Sequence, residues 1–146
     1  MNEPVKEPAN EPVPEPLWLK RAWVDPLHFR QLQRFGGGYG VRDEGAVKSA
    51  IARPRNQWEY AEEKDLASLA AAYGYGLTRN HGYIDGNKRV GFVAMAVFLE
   101  LNGWTLDAPE PEVVQVMLAV AAGELREPDL ASWLRAHMGP AGESPG

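Results

Sequence analysis

The chain contains no cysteine. Disulfides are thereby excluded, and thiolate metal sites with them. Basic charge is also in short supply: 15 Lys and Arg stand against 20 Asp and Glu, a formal net charge of −5. A general nucleic-acid binder usually carries a basic surface, so no direct nucleic-acid partner is expected. No uncharged apolar run reaches the roughly 18 residues of a membrane span. The N-terminus lacks the basic start and apolar middle of a secretory signal. A cytoplasmic protein with no membrane partner is the expectation. Strand signals are few as well, which points to an almost entirely α-helical domain.

What is present amounts to about one domain, with 146 residues and 45% hydrophobic content. Residues 1–16 stand apart. Glu-Pro recurs there every four residues, at Glu3-Pro4, Glu7-Pro8, Glu11-Pro12 and Glu15-Pro16. Proline removes donors and acid repels acid, so a disordered tail is expected. Residues 17–138 form the expected domain. Residues 139–146, Gly139 to Gly146, read as a second loose tail.

The domain reads as a series of helices. Asp25-Pro26 suggests an N-cap and a proline at the first helical position, with the helix running to about Phe35. The run Gly36-Gly37-Gly38-Tyr39-Gly40 then breaks it. Asp43 is placed to cap a second helix, which is expected to stop before Pro54. Asp65 opens a third, where Leu66, Leu69, Ala70, Tyr73 and Leu77 repeat at helical spacing. The stretch from Asn87 to Asn102 is apolar nearly all round and belongs in the middle of a bundle. Asn102-Gly103 ends it. Trp104-Thr105-Leu106 is at most a short extended piece. Two further helices are expected near Pro111 to Ala122 and Pro128 to His137. The five tryptophans and five tyrosines are scattered, which favours core packing over base stacking.

The densest chemistry lies in His81-Gly-Tyr-Ile-Asp-Gly-Asn-Lys-Arg89. An imidazole, a carboxylate, an amide and two cations sit just before a buried helix. The free N–H groups and positive dipole end of a helix start form an anion site. His81 is the candidate general base: a neutral imidazole takes the proton of an attacking hydroxyl. Alternatively it caps the preceding helix. Asp85 is the candidate Mg²⁺ ligand, or an N-cap. Gly86 lets phosphate oxygens approach the backbone. Asn87 either donates to an anion or fixes the turn. Lys88 and Arg89 suit phosphates, one as a point charge and one as a planar fork. By spacing alone this is a phosphate site with a base and a metal ligand. It is not a Walker loop. His28, on the first helix, is read as structural.

The stretch His81 to Arg89 closely resembles the signature of the Fic/Doc (Fido) family, His-x-Phe-x-Asp/Glu-Gly-Asn-x-Arg. Phe35 to Asp43, Ala52-Arg-Pro54, Leu69 to Tyr73, Arg79-Asn-His81 and Phe98 to Gly103 resemble its death-on-curing (Doc) branch. The resemblance spans roughly residues 17 to 138. It implies a helical Fido fold with a small β-hairpin flap over the site. The flap falls on Gly36, Gly37, Gly38, Tyr39, Gly40, Val41 and Arg42, and would clamp a target segment by strand pairing. His81 then takes the role of base and Asp85 that of Mg²⁺ ligand. Gly86 and Asn87 form the anion hole, and Arg89 contacts nucleotide phosphate. Arg79 matches a Doc arginine near the phosphates.

Two departures from the adenylylating Fic proteins matter. They usually carry Gly where this chain has Lys88, and a second Arg where it has Phe92. Doc shares the lysine and lacks that arginine. It holds its nucleotide reversed, so the γ-phosphoryl is transferred rather than AMP. Against this, Gly86 is the Fic-like residue where Doc has alanine. Tyr83 replaces the usual Phe.

The expectation is a toxin of a toxin–antitoxin pair that uses ATP and Mg²⁺ to phosphorylate a Thr or Ser of a protein target. The family's kinase acts on elongation factor Tu at a threonine and halts translation, so the resemblance implies that factor as the candidate target. A cognate antitoxin is the expected partner. The alternatives are an adenylyltransferase, a non-catalytic nucleotide- or partner-binding module and, more weakly, a helix-turn-helix DNA binder.

Overall fold

The computed structural model describes residues 14–60 and 65–142. Most of the expected tail, residues 1–13, and residues 143–146 lie outside the described residues. Among the described residues six helices and two short strands follow in order: α1 (Arg21–Phe35), α2 (Glu44–Tyr60), α3 (Leu66–Asn80), α4 (Asn87–Leu101), β1 (Trp104–Leu106), α5 (Glu110–Ala122), α6 (Glu127–His137) and β2 (Met138–Pro140). The fold is the expected helical one with a small β element.

Local signals set several of the helix ends. Asp65 caps α3, its carboxylate accepting from Ala67 N–H at 2.9 Å and from the Ser68 hydroxyl at 3.1 Å. Asp43 caps α2 through Ala46 N–H at 3.1 Å. Gly36 ends α1, its N–H donating to Leu32.

Two proline expectations are corrected. Helix α1 starts at Arg21, so Pro26 lies inside it rather than at its first position. The earlier start is anchored by Arg21, which bonds Glu44 at the head of α2 and Asp25 one turn on. Helix α2 runs through Pro54 to Tyr60. A proline inside a helix costs roughly 3 kcal/mol. Continuing the helix buries Pro54 itself and Trp58, which is 8% exposed and meets Trp18 edge-on at 6.2 Å. Burial of large aromatic surface offsets a loss of that size.

Helix α3 is the centre of the bundle, packed by α2, α4, α5 and α6. Leu69, Tyr73 and Leu77 from α3 meet Met95, Phe98 and Leu99 from α4 and Leu130 and Leu134 from α6 in one core. Gly91 lets α3 and α4 come close. A Cβ there would lie 2.4 Å from the Thr78 hydroxyl oxygen and 3.0 Å from the Gly74 carbonyl. The Tyr73 hydroxyl, pushed up to about 12 by burial, accepts from Leu19 N–H and ties the entering chain to this core.

Strands β1 and β2 pair antiparallel, with Thr105 opposite Gly139. The loose end expected from Gly139 is therefore corrected: Gly139 and Pro140 belong to a strand. Regular pairing lies there and not in residues 36–42. Those form an extended loop carrying one isolated bridge, Val41 to Tyr83.

Candidate active site

The nine-residue motif lies between the end of α3 and the start of α4. His81 follows α3 in the left-handed region at φ 51°, the only such non-glycine among the described residues. A conformation of this kind costs about 1–3 kcal/mol and tends to gather at working sites. Gly86 is the N-cap of α4 at φ 76°. The N–H groups of Asn87, Lys88 and Arg89 have no acceptor within the helix. A cleft of about 240 Å³ opens at this helix start. It is lined by Thr78, His81, Ile84, Asp85, Gly86, Asn87, Lys88, Arg89 and Ala121.

The structure thus brings His81, Asp85, Gly86, Asn87, Lys88 and Arg89 together. Asp85 is exposed. Its Oδ1 accepts from Gly86 N–H at 2.9 Å and its Oδ2 from Gly38 N–H at 3.3 Å. The Gly86 and Gly38 N–H groups, helped by the Arg89 and Lys88 charges, hold this carboxyl below its ordinary range. Each carboxylate oxygen offers two acceptor positions, so each retains one.

Asn87 spends its amide on the turn. Its Oδ1 accepts from Tyr83 N–H and its Nδ2 donates to the Tyr83 carbonyl, both at 3.0 Å. The Asn87 side chain fixes the turn, while a second Nδ2 proton and the backbone N–H leave the anion reading open. Arg89 donates to the Gly36 carbonyl at 3.0 Å and lies over the Phe35 ring. Lys88 is exposed at the cleft.

Arg79 is not brought to the cleft. Its guanidinium donates to the Ala121 carbonyl at 2.8 Å, at the end of α5. It fixes the wall on which Ala121 sits. Sequence reasoning missed Thr78, whose fully buried hydroxyl has no hydrogen-bond partner among the described residues and lines the cleft. Nothing local marks it in the sequence.

The glycine-rich loop 36–42 lies along the motif. Arg42 N–H donates to the Gly82 carbonyl at 2.8 Å, and Ile84 N–H to the Gly40 carbonyl at 3.0 Å. The Arg42 guanidinium holds the His81 carbonyl at 2.8 Å. Gly37 approaches so closely that a Cβ would lie 2.9 Å from Asp85 Oδ2. Phe29, Phe35, Tyr39 and Ile84 are exposed around this loop, with Phe29 and Tyr39 edge to face at 5.6 Å.

Behind the motif, His28 is 2% exposed and its Nε2 lies 2.6 Å from the Asp85 carbonyl. A carbonyl only accepts, so Nε2 carries the proton. The Tyr83 ring stacks on His28 with centroids 3.8 Å apart, and its hydroxyl donates to Asp25 at 2.6 Å. Burial, with the Asp25 charge, pushes the Tyr83 phenol far above its ordinary value. Burial works against the Asp25 carboxylate, but Tyr83 and Arg21 outweigh it and hold Asp25 below its ordinary range.

The chain is similar to known proteins. A model of the Fic/DOC family matches residues 18–99, more than half of the chain. The chain is 31% identical over 115 residues to "Protein kinase doc" of Escherichia phage P1, covering 79% of this chain and 90% of that protein. It is 41% identical over 75 residues to "Toxin Doc" of Mycolicibacterium smegmatis, covering 51% of this chain and 58% of that protein. The extent of the family match and of the phage relative make the chain a member of the Fic/DOC family, in its Doc branch.

Proposed function

We infer that the chain is a Doc-like toxin that transfers a phosphoryl group from Mg-ATP to a Thr or Ser hydroxyl of a protein target. One observation carries this: His81, Asp85, Lys88 and Arg89 line a single cleft at the open N-terminus of a buried helix. The backbone N–H groups of residues 87–89, the Lys88 ammonium and the Arg89 guanidinium bind and orient phosphates there. His81 takes the proton of the attacking hydroxyl. Positioning and charge stabilisation do most of the work in such transfers.

Asp85 fits a magnesium ligand. Mg²⁺ takes one or two carboxylates with phosphate oxygens and waters, and Asp85 is exposed with acceptor capacity left. Bound there, the ion would neutralise phosphate charge. The loop 36–42 and its exposed aromatics suit the target segment, and a cognate antitoxin would cover the same face. A translation factor such as elongation factor Tu is the target hypothesis, acted on in the cytoplasm.

Gly86 supports a second reading, AMP transfer, because it is the Fic-like residue. The test is incubation of elongation factor Tu with γ- or α-labelled ATP. Label from the γ position is expected. Label from the α position would mean AMP transfer, and ATP binding without transfer to any hydroxyl-bearing target would mean a binding module. His81→Ala is expected to lower the rate about 10²–10⁴-fold. Retained toxicity of that variant at equal expression would remove His81 from the role of base.

A further inference from the structure

A chain of polar contacts reaches the catalytic loop from the rear. Glu44, heading α2, accepts two bonds from Arg21, at 2.9 and 2.7 Å. Arg21 also donates to Asp25 at 2.8 Å. Asp25 accepts the Tyr83 hydroxyl at 2.6 Å. The Tyr83 ring, 2% exposed, lies against His28 with the planes only 16° apart. His28 donates to the Asp85 carbonyl at 2.6 Å.

We propose that the Tyr83 hydroxyl and Asp25 form a positioning relay that fixes the 81–85 loop against α1 and α2, and so sets where His81 and Asp85 stand in the cleft. A phenylalanine would fill the same ring position. The hydroxyl matters only through its partner, and that partner is a carboxylate already paired with a guanidinium. Bonds to ionised groups are about twice as strong as neutral ones. The relay grips the loop twice, at Tyr83 through the hydroxyl and at Asp85 through His28. Ring stacking couples the two grips, because tilting Tyr83 would break its face-on contact with the imidazole. At the front the loop is held by backbone bonds to the glycine-rich segment and by Asn87, which bonds the Tyr83 N–H and carbonyl; none of these contacts bears on the Tyr83 ring or hydroxyl. Tyr83 and Asp25 touch no reacting atom and act through His81 and Asp85.

The kinetic arm of the test rests on the phosphoryl-transfer reading; the exchange arm does not. Tyr83→Phe, Asp25→Ala and the double variant are compared by hydrogen exchange, thermal melting and transfer kinetics. The Tyr83 hydroxyl bond to a charged group suggests a loosening on the order of tenfold when it is removed. In Tyr83→Phe, the amides of residue 83 and Ile84, bonded to Asn87 Oδ1 and the Gly40 carbonyl, should exchange about tenfold faster. In the same variant kcat should fall about tenfold while KM for ATP stays within about twofold. The double variant should match Asp25→Ala, since both remove one coupled contact. If Asp25→Ala does not fold, Tyr83→Phe alone decides. Unchanged exchange in Tyr83→Phe overturns the relay. So do multiplicative effects of the two substitutions, or faster exchange with unaltered kcat in an otherwise active enzyme. A wild-type protein that transfers nothing would refute the proposed function, and the exchange comparison would still decide the relay.

Discussion

Gly37 is where the glycine-rich loop and the metal-ligand candidate come closest, and Gly37→Ala tests that contact. An added Cβ would lie 2.9 Å from Asp85 Oδ2, 3.2 Å from Asp85 Cγ and 3.0 Å from Leu32 Cδ2. Leu32 is 7% exposed and has little freedom to retreat. The backbone at Gly37 also has φ +128°, a region side chains rarely enter. That strain alone costs about 1–3 kcal/mol. The clash adds to it by one of two routes. Asp85 can turn away, giving up its Gly38 and Gly86 N–H partners. Alternatively the loop lifts and gives up the Gly40–Ile84 and Gly82–Arg42 bonds, each worth about 0.5–1.5 kcal/mol net.

Gly36→Ala is the control. Its φ is +80°, and an added Cβ meets nothing within 4 Å. It carries backbone strain without the clash. In a domain of this size each kcal/mol lowers the melting temperature by roughly 3–6 °C. Gly36→Ala should therefore melt about 3–18 °C below wild type. Gly37→Ala should melt lower still, by about a further 1–2 kcal/mol, and should lose more transfer activity because Asp85 or the loop is displaced. Scanning calorimetry and labelled-phosphate transfer read the two effects. Equal melting and equal transfer in the two variants would refute the close approach of Gly37 to Asp85.

Two further predictions use the same measurements. Arg79→Ala should lower the melting temperature by a few degrees through loss of the bond to the Ala121 carbonyl, and leave KM for ATP within about twofold. Lys88→Ala should do the reverse, raising KM for ATP about tenfold with little change in melting; an equal KM effect from both variants would put Arg79 at the phosphates after all. At α3, burial disfavours the Asp65 carboxylate, but Arg135, Ala67 N–H and Ser68 together hold it below its ordinary range. A carboxyl lowered on folding gives stability above its unfolded value and loses it as pH falls through the folded value. Asp65→Asn keeps the cap but loses the charge, so it should cost about 0.5–1 kcal/mol at pH 7 and nothing once Asp65 is protonated in both the folded and the unfolded state. A stability gap that persists in acid would show that Arg135 is not its source.

The helix ends legible in the sequence are those fixed by neighbours a few residues away. Asp43 and Asp65 bond N–H groups two or three positions on, and Gly36 and Gly103 supply positive φ at helix exits. The errors at Pro26 and Pro54 share another cause. What carries each helix past its proline is an aromatic burial or an ion pair made by distant chain, such as Arg21 with Glu44, 23 residues away. β2 has the same character, since its partner lies beyond two helices. The site divides likewise. Its front is a contiguous motif and could be read directly. Its rear joins Asp25 to Tyr83 across 58 positions and His28 to Asp85 across 57, and no spacing rule connects them. Arg79 shows the same limit: a match in sequence gives no side-chain direction, and the guanidinium is held by the carbonyl of Ala121.

The charge balance of the chain fits its proposed ligand once charge is considered locally. A net charge of −5 opposes phosphate at long range, but screening in salt confines surface charges to about 10 Å. Within that range the cleft holds Lys88, Arg89 and an uncompensated helix start, against the single carboxylate of Asp85. Two cations in the first turn oppose the helix dipole. The folded protein accepts that cost, and leans Arg89 on the Gly36 carbonyl to relieve part of it. An anion at the helix start is attracted by the cations and by the dipole alike, which offsets their mutual repulsion. Asp85 is then the one group set against the anion, and a divalent cation between them turns repulsion into attraction. It follows that phosphate affinity should depend on magnesium more steeply in the wild-type protein than in Asp85→Asn, where the opposing charge is gone. Equal magnesium dependence in the two would place the ion away from Asp85.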